Sequence, residues 1–132
     1  MTIFVDTSGI LALVDRDDRL HRATVDAFGL GRAEQLATHS YVVVETLAVS
    51  RRRFGPAVTA GLIDRVLPAL DVTLVDATLH ADAVRAFRDA IESSVSLVDR
   101  TSFAFMRREG ISRAIAIDAD FRTAGFETLP VG

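Results

Sequence analysis

Ile3-Phe4-Val5-Asp6-Thr7-Ser8-Gly9-Ile10-Leu11-Ala12-Leu13-Val14 is the stretch whose reading decides the fold. With Thr2, its first three residues form a run too apolar to alternate, which predicts a short strand buried on both faces. The run stops at a carboxylate. Thr7 or Ser8 can then cap a helix running through Ile10, Leu11, Leu13 and Val14. Strand, acid and helix in that order open an α/β fold, in which ligands bind at the carboxyl ends of parallel strands.

The pattern continues outward from this unit. Asp15 to Asp18 is a charged loop, and a helix follows from about Arg19 to Phe28, stopped by Gly29 and Gly31. Leu36 to Thr38 reads as a short strand. Ser40 opens a helix to about Phe54, and Gly55-Pro56 breaks the chain before another helix reaching Leu70. Val72 to Val75 is the next strand and Ala77 to about Ile91 an amphipathic helix. Ser96-x-x-Asp99 resembles a capping box at the head of a helix that Gly110 ends. Ala114 to Ile117 is a second strand of the buried type, Asp120 to Ala124 a helical turn, and Glu127 to Leu129 a last short strand. The spacing of Phe103, Phe105 and Met106 marks them as core. These elements predict a mostly parallel sheet covered by helices on both faces.

Four acids stand out against this frame: Asp6, Glu45, Asp99 and Asp118. Asp6 and Asp118 end apolar runs, Asp99 follows Ser96-Leu97-Val98, and Glu45 interrupts an apolar helix. Carboxylates in such surroundings are costly unless something compensates their charge. Each has a structural explanation too. Asp6 and Asp118 can cap helices, Asp99 can complete the capping box, and Glu45 can share a polar stripe with Arg52, seven residues on. One shared site accounts for all four together. Oxygen ligands without nitrogen or sulfur suit Mg²⁺ or Mn²⁺.

Composition narrows the field. The 132 residues fit one domain, with 49% hydrophobic and 25% charged residues. Cysteine is absent, which excludes disulfides, zinc thiolates and cysteine nucleophiles. The opening residues lack the pattern of a secretory signal, and no run reaches transmembrane length, so a cytoplasmic protein with no membrane partner is expected. The net charge of −3 argues against indiscriminate nucleic-acid binding, yet neutralising four clustered acids would leave the remainder weakly positive. All fifteen basic residues are arginine. Without lysine, a phosphoacceptor receiver domain and a haloacid-dehalogenase-like phosphatase both lose an essential group. There is neither a P-loop nor a Gly-x-Ser-x-Gly. His21, His39 and His80 are scattered without metal-ligand spacing, which leaves them surface or local hydrogen-bonding roles.

The stretch Ile3 to Leu13 resembles the opening of PIN domains, a family of metal-dependent nucleases. Ser96-Leu97-Val98-Asp99-Arg100-Thr101-Ser102-Phe103-Ala104-Phe105-Met106 is similar to their third motif. Ala114-Ile115-Ala116-Ile117-Asp118-Ala119-Asp120-Phe121, with Gly125-Phe126 and Leu129-Pro130, is similar to their C-terminal signature. Glu45 matches their second acidic position, and the size fits the VapC-type toxins of toxin–antitoxin pairs. The resemblance implies a single PIN-like nuclease domain over residues 1–132, a Rossmann-like sandwich. It also implies ribonuclease activity with Mg²⁺ or Mn²⁺, a homodimer, and neutralisation by a small VapB-type antitoxin. By position, Asp6, Glu45, Asp99 and Asp118 would form the catalytic metal site, with Asp120 a secondary ligand. Thr7, Ser8 and Ser102 match hydroxyl positions in these motifs, and Arg100 beside the third acid can pair with phosphate or with that acid.

On this reading the carboxylates are chiefly ligands, and Asp99 or Asp118 also orients the attacking water. Arginines position the RNA backbone. Arg51, Arg52 and Arg53 close one helix and Arg107 and Arg108 another, where they also complement helix dipoles. Arg52, on Glu45's face, is the expected phosphate contact. The alternative is a catalytically inert PIN-like scaffold that binds RNA or a protein partner.

Overall fold

The structure, a computed structural model, describes residues 1–130; the last two residues of the expected domain lie outside the described residues. Five strands, β1 (Thr2–Val5), β2 (Gln35–His39), β3 (Asp71–Thr73), β4 (Arg113–Ile115) and β5 (Glu127–Leu129), form one sheet in the order β3-β2-β1-β4-β5. Every pairing is parallel. Seven α-helices flank it: α1 (Thr7–Val14), α2 (His21–Phe28), α3 (Ser40–Arg53), α4 (Pro56–Gly61), α5 (Ala77–Asp89), α6 (Leu97–Glu109) and α7 (Asp120–Thr123). This is the expected sheet, and it is wholly rather than mostly parallel. Among the described residues, no helix is long and apolar enough to cross a membrane.

β1 is central because nothing in it needs water. Ile3, Phe4 and Val5 are fully buried, and Phe4 packs its ring against Phe105, Phe121 and His39. Phe103 and Met106 are buried in the same core. β4 stops where β1 stops, with Val5 level with Ile115, and β2, with Ala37 level with Phe4, runs on to His39 close by. The strand ends therefore align along one rim of the sheet. That rim receives the acids.

Several elements differ at their ends from the sequence expectation, each for a local reason. Asp6 itself caps α1, its side chain accepting from Ser8 N, where Thr7 or Ser8 was expected. α2 ends at Phe28 with Gly29 as its C-cap, as expected, and the chain then makes a 3-10 turn over Gly29–Arg32. The segment after Gly55 is not one helix: α4 gives way to a π turn over Leu62–Val66 and a 3-10 turn over Leu67–Ala69. Pro68 has no N–H to give and cannot extend a regular helix, so the register shifts ahead of it. β3 ends at Thr73 instead of Val75 because its partner β2 turns into α3 at Ser40. β4 likewise ends at Ile115 instead of Ile117 because β1 ends at Val5. Gly110 takes a left-handed φ of 69° and closes α6 as predicted.

One glycine sets the distance between a helix and the sheet. A Cβ on Gly9 would lie 2.6 Å from the Ile115 carbonyl oxygen and 2.8 Å from Ile115 Cγ2. The first turn of α1 thus rests directly on the end of β4, and Asp6 N donates to the same Ile115 carbonyl at 3.0 Å. Gly9→Ala is expected to lower stability by roughly 1–3 kcal/mol, as overpacking does, despite alanine's better helix propensity. Chemical denaturation checks this, and unchanged or higher stability would show that α1 stands off β4.

Candidate metal and active site

The acids arrive from four places in the fold. Asp6 follows β1, Glu45 lies in mid-α3, Asp99 in the first turn of α6, and Asp118 and Asp120 in the turn after β4. All five line one pocket of about 290 Å³, together with Thr7 and Ser8. Asp120, a secondary ligand by the sequence, lies with two of the principal acids: one carboxylate oxygen each of Asp99, Asp118 and Asp120 lie within 4.8 Å of one another.

Local hydrogen bonds aim these groups. Asp6 Oδ2 accepts from Ser8 N at 3.1 Å and from Ser8 Oγ at 2.6 Å, and Ser8 Oγ in turn accepts from Ile117 N at 3.0 Å. Ser8 therefore ties Asp6 to the segment leading to Asp118. The other oxygen, Asp6 Oδ1, is buried without a partner. Ser96 Oγ accepts from Asp99 N at 3.0 Å. This is half of the expected capping box, and among the described residues nothing returns from the Asp99 carboxylate to Ser96, which leaves it to the pocket. Asp118 Oδ1 accepts from Asp120 N at 3.0 Å in the turn leading into α7, whose N-cap is Ala119 rather than Asp118. Thr46 Oγ1 donates to Thr7 Oγ1 at 3.0 Å and Thr7 Oγ1 to the Val42 carbonyl, which docks α3 on α1 and carries Glu45 to Asp6.

Electrostatics record the crowding. Burial, opposed in part by the Ser8 hydrogen bonds, raises Asp6 to about 6. Asp99 is raised to about 7, first by burial and then by the charges of Asp6, Asp118, Glu45 and Asp120. Burial and Asp118 also raise Asp120, and the Arg100 charge counters this. Clustered carboxylates, one unpartnered buried oxygen and no sulfur or imidazole in the wall fit a hard divalent cation.

The remaining candidates divide. Thr7 and Ser8 are at the pocket but are engaged in holding it. Ser102 is elsewhere: it is fully buried, donates to the Val98 carbonyl at 3.0 Å and meets His39 Nε2 at 2.9 Å. Because Ser102 spends its proton on Val98, His39 must donate from Nε2, leaving Nδ1 to accept from Val42 N. His39 is thus a buried, neutral pin between α3 and α6, its pKa lowered by burial to about 4. A histidine between an apolar strand and a helix-opening serine was the signal for it. Arg52 is exposed and outside the pocket wall. Arg100 reaches Ser93 and acts electrostatically on Asp120 rather than on neighbouring Asp99.

Comparison with known proteins agrees with this geometry. The family model for the PIN domain matches residues 3–127, and the chain belongs to the PIN domain family. Within that family it is a homologue of the VapC-type toxins. It is 38% identical, over 94% of its length and 95% of theirs, to proteins described as the 23S rRNA-specific endonuclease VapC20 in two strains of Mycobacterium tuberculosis. The crystal structure of M. tuberculosis VapC20, described as a sarcin–ricin loop cleaving toxin, superposes with a TM-score of 0.81 at 35% identity, covering 94% of this chain and 95% of that one. VapBC2 from Rickettsia felis, bound to a promoter DNA fragment, shares the fold at 10% identity, with a TM-score of 0.73 and 97% of each chain covered.

The raised acids favour the folded state while protonated, so their contribution is present below the usual carboxylate range and is lost as pH rises through about 6 for Asp6 and about 7 for Asp99. His39 runs the other way, its contribution present above 6.5 and lost as pH falls through about 4. Above pH 6.5 Asp99 dominates. Metal-free protein is expected to lose roughly 1 kcal/mol, or about 4 °C in Tm, between pH 6.5 and 8. Asp99→Asn should flatten that decline, and Mg²⁺ or Mn²⁺ should raise Tm more at pH 8 than at pH 5.5. Calorimetry across this range decides it; a metal effect independent of pH would sink the assignment.

Proposed function

We propose that this protein is an endoribonuclease that hydrolyses RNA with Mg²⁺ or Mn²⁺ held by Asp99, Asp118 and Asp120. The observation that carries the reading is the convergence of five carboxylates, from four separate parts of the fold, on one pocket at the sheet rim. Such an arrangement is unfavourable to the bare protein and useful to one that binds a cation. A bound divalent ion supplies an acidified water and charge neutralisation at the phosphate. The chain's own groups do the rest. Asp99, the most strongly raised acid, gives up its proton to become a ligand near neutral pH. Asp6, fixed through Oδ2 by Ser8, keeps Oδ1 free to orient the attacking water, and Glu45 stands beside it. Arg100, held near Asp120, is placed to meet the phosphate, and Arg52 lies further along the exposed face of α3. Ser102 has no access to substrate and is assigned to the fold instead.

The likeness to VapC20 makes ribosomal RNA the first substrate to test and supports a toxin role. A VapB-type antitoxin as partner, a homodimeric state, a single nuclease domain over residues 1–132 and a cytoplasmic site of action belong to the same reading. Cleavage of total RNA by antitoxin-free protein, with new 5′ ends mapped by sequencing, tests it. Discrete cuts are expected with Mg²⁺ or Mn²⁺ and none in EDTA. Asp99→Asn and Asp120→Asn should each lower the rate at least about a hundredfold, the upper range for disturbing a metal site's outer shell. Ser102→Ala should lower stability and spare the rate. Folded, metal-binding protein that cuts no RNA would replace the nuclease with a binding scaffold.

A further inference from the structure

The wall of the acid pocket contains no cation, although RNA brings a negative charge with every nucleotide. Something beside the pocket has to hold the strand. Two further hollows adjoin it in series. The first shares Ser8 and Leu11 with the acid pocket and is bordered by Arg53, whose guanidinium is tied to Asp15 at 3.5 Å. The second shares Ile117, the residue before Asp118, with the first. Its volume of about 440 Å³ lies in the range of small-ligand sites.

This second cleft has a two-part lining. Leu20, Ala116, Ile117 and Pro130 make an apolar floor, and Arg19 and Arg122 stand in its wall. Both arginines are exposed, and among the described residues neither takes part in an ion pair. A purely apolar ligand would desolvate two guanidinium groups for nothing. A bare anion would leave the floor unused. A nucleotide uses both, with its base on aliphatic side chains and a guanidinium plane and its phosphate on the N–H donors.

We propose that this cleft holds a splayed-out nucleotide of the RNA substrate, flanking the one cut in the acid pocket, with Arg19 and Arg122 as substrate-binding residues. The proposal rests on the nuclease reading above. The strand would pass from the acid pocket over Ser8 and Leu11 to Ile117, the walls that the three hollows share.

The test uses a random-sequence pool of single-stranded RNA 12-mers and an abasic 12-mer, with affinity measured by fluorescence anisotropy in Mg²⁺ over a salt series, and cleavage followed in parallel. Arg19→Ala and Arg122→Ala should each weaken pool binding about tenfold and reduce the salt slope by about 1. Arg85→Ala, an equal charge loss on α5, serves as control and should change neither. The wild-type preference for base-bearing over abasic RNA should shrink in the Arg19→Ala/Arg122→Ala double variant. A double variant that binds as well as Arg85→Ala would overturn the proposal, and weaker binding with the base preference intact would reduce the cleft to a phosphate contact. Wild-type protein that binds the pool and cuts nothing would end the nuclease reading while these same affinities still judge the cleft. No binding at all would end both.

Discussion

Carboxylates repel one another, and this fold forces five of them into one pocket. No cation stands in the wall of that pocket and only the nearby Arg100 charge eases it, at Asp120, so the repulsion has to be overcome by the packing of everything behind it. Asp6 is held by Ser8, Ser8 by the Ile117 amide, and Asp118 by the Asp120 amide. Glu45 is delivered by the hydroxyl chain of Thr46, Thr7 and the Val42 carbonyl. These are short-range bonds to backbone and hydroxyl groups, and none of them neutralises charge. Burial first, and for Asp99 the neighbouring charges next, raise Asp6 to about 6 and Asp99 to about 7, so the bare protein holds protons there that free carboxylates would lose. A hard divalent cation is the kind of group that would relieve the repulsion.

The scaffold for this is the parallel sheet. Because β1 is buried on both faces, β4 ends level with it and β2 ends close by, the chain leaves the sheet at one rim and must turn there. Turns need caps, and short acids are good caps. Asp6 and Asp118 show that structural and functional explanations need not compete. Each satisfies a backbone amide with one oxygen and faces the pocket with the rest of its carboxylate. Gly9 supplies the remaining condition by letting α1 rest on the end of β4, which brings the Asp6 and Asp118 turns together.

Much of this was legible in the linear sequence. Buried strands announce themselves by unbroken apolar runs, and their order with helices between them implies the parallel sheet. The four principal acids stood out for being costly where they were. What escaped was anything decided by partners distant in the chain. The ends of β3 and β4 depend on where β2 and β1 stop, not on the apolar residues that continue past them. Asp120 looked secondary because its closeness to Asp99 spans α6 and the β4 turn. Ser102 sits in a functional motif yet turns away to His39, and only the packing of α6 on β2 reveals that. Pro68 did carry a visible warning against one long helix, and the π turn ahead of it is how the chain complies.

The position of β1 in the sheet also governs how late in folding the pocket can form. Its partners are β2, close behind it in the chain, and β4, whose Ala114 and Ile115 pair with Phe4 and Val5 from almost the other end. Asp6 is thus separated from Asp118 and Asp120 by most of the described sequence. A folding chain can therefore order β1 and its neighbouring helices before the acid cluster is assembled, because non-local parallel pairing forms late and slowly. The acid pocket is thus a late product of folding, completed only when β4 docks beside β1.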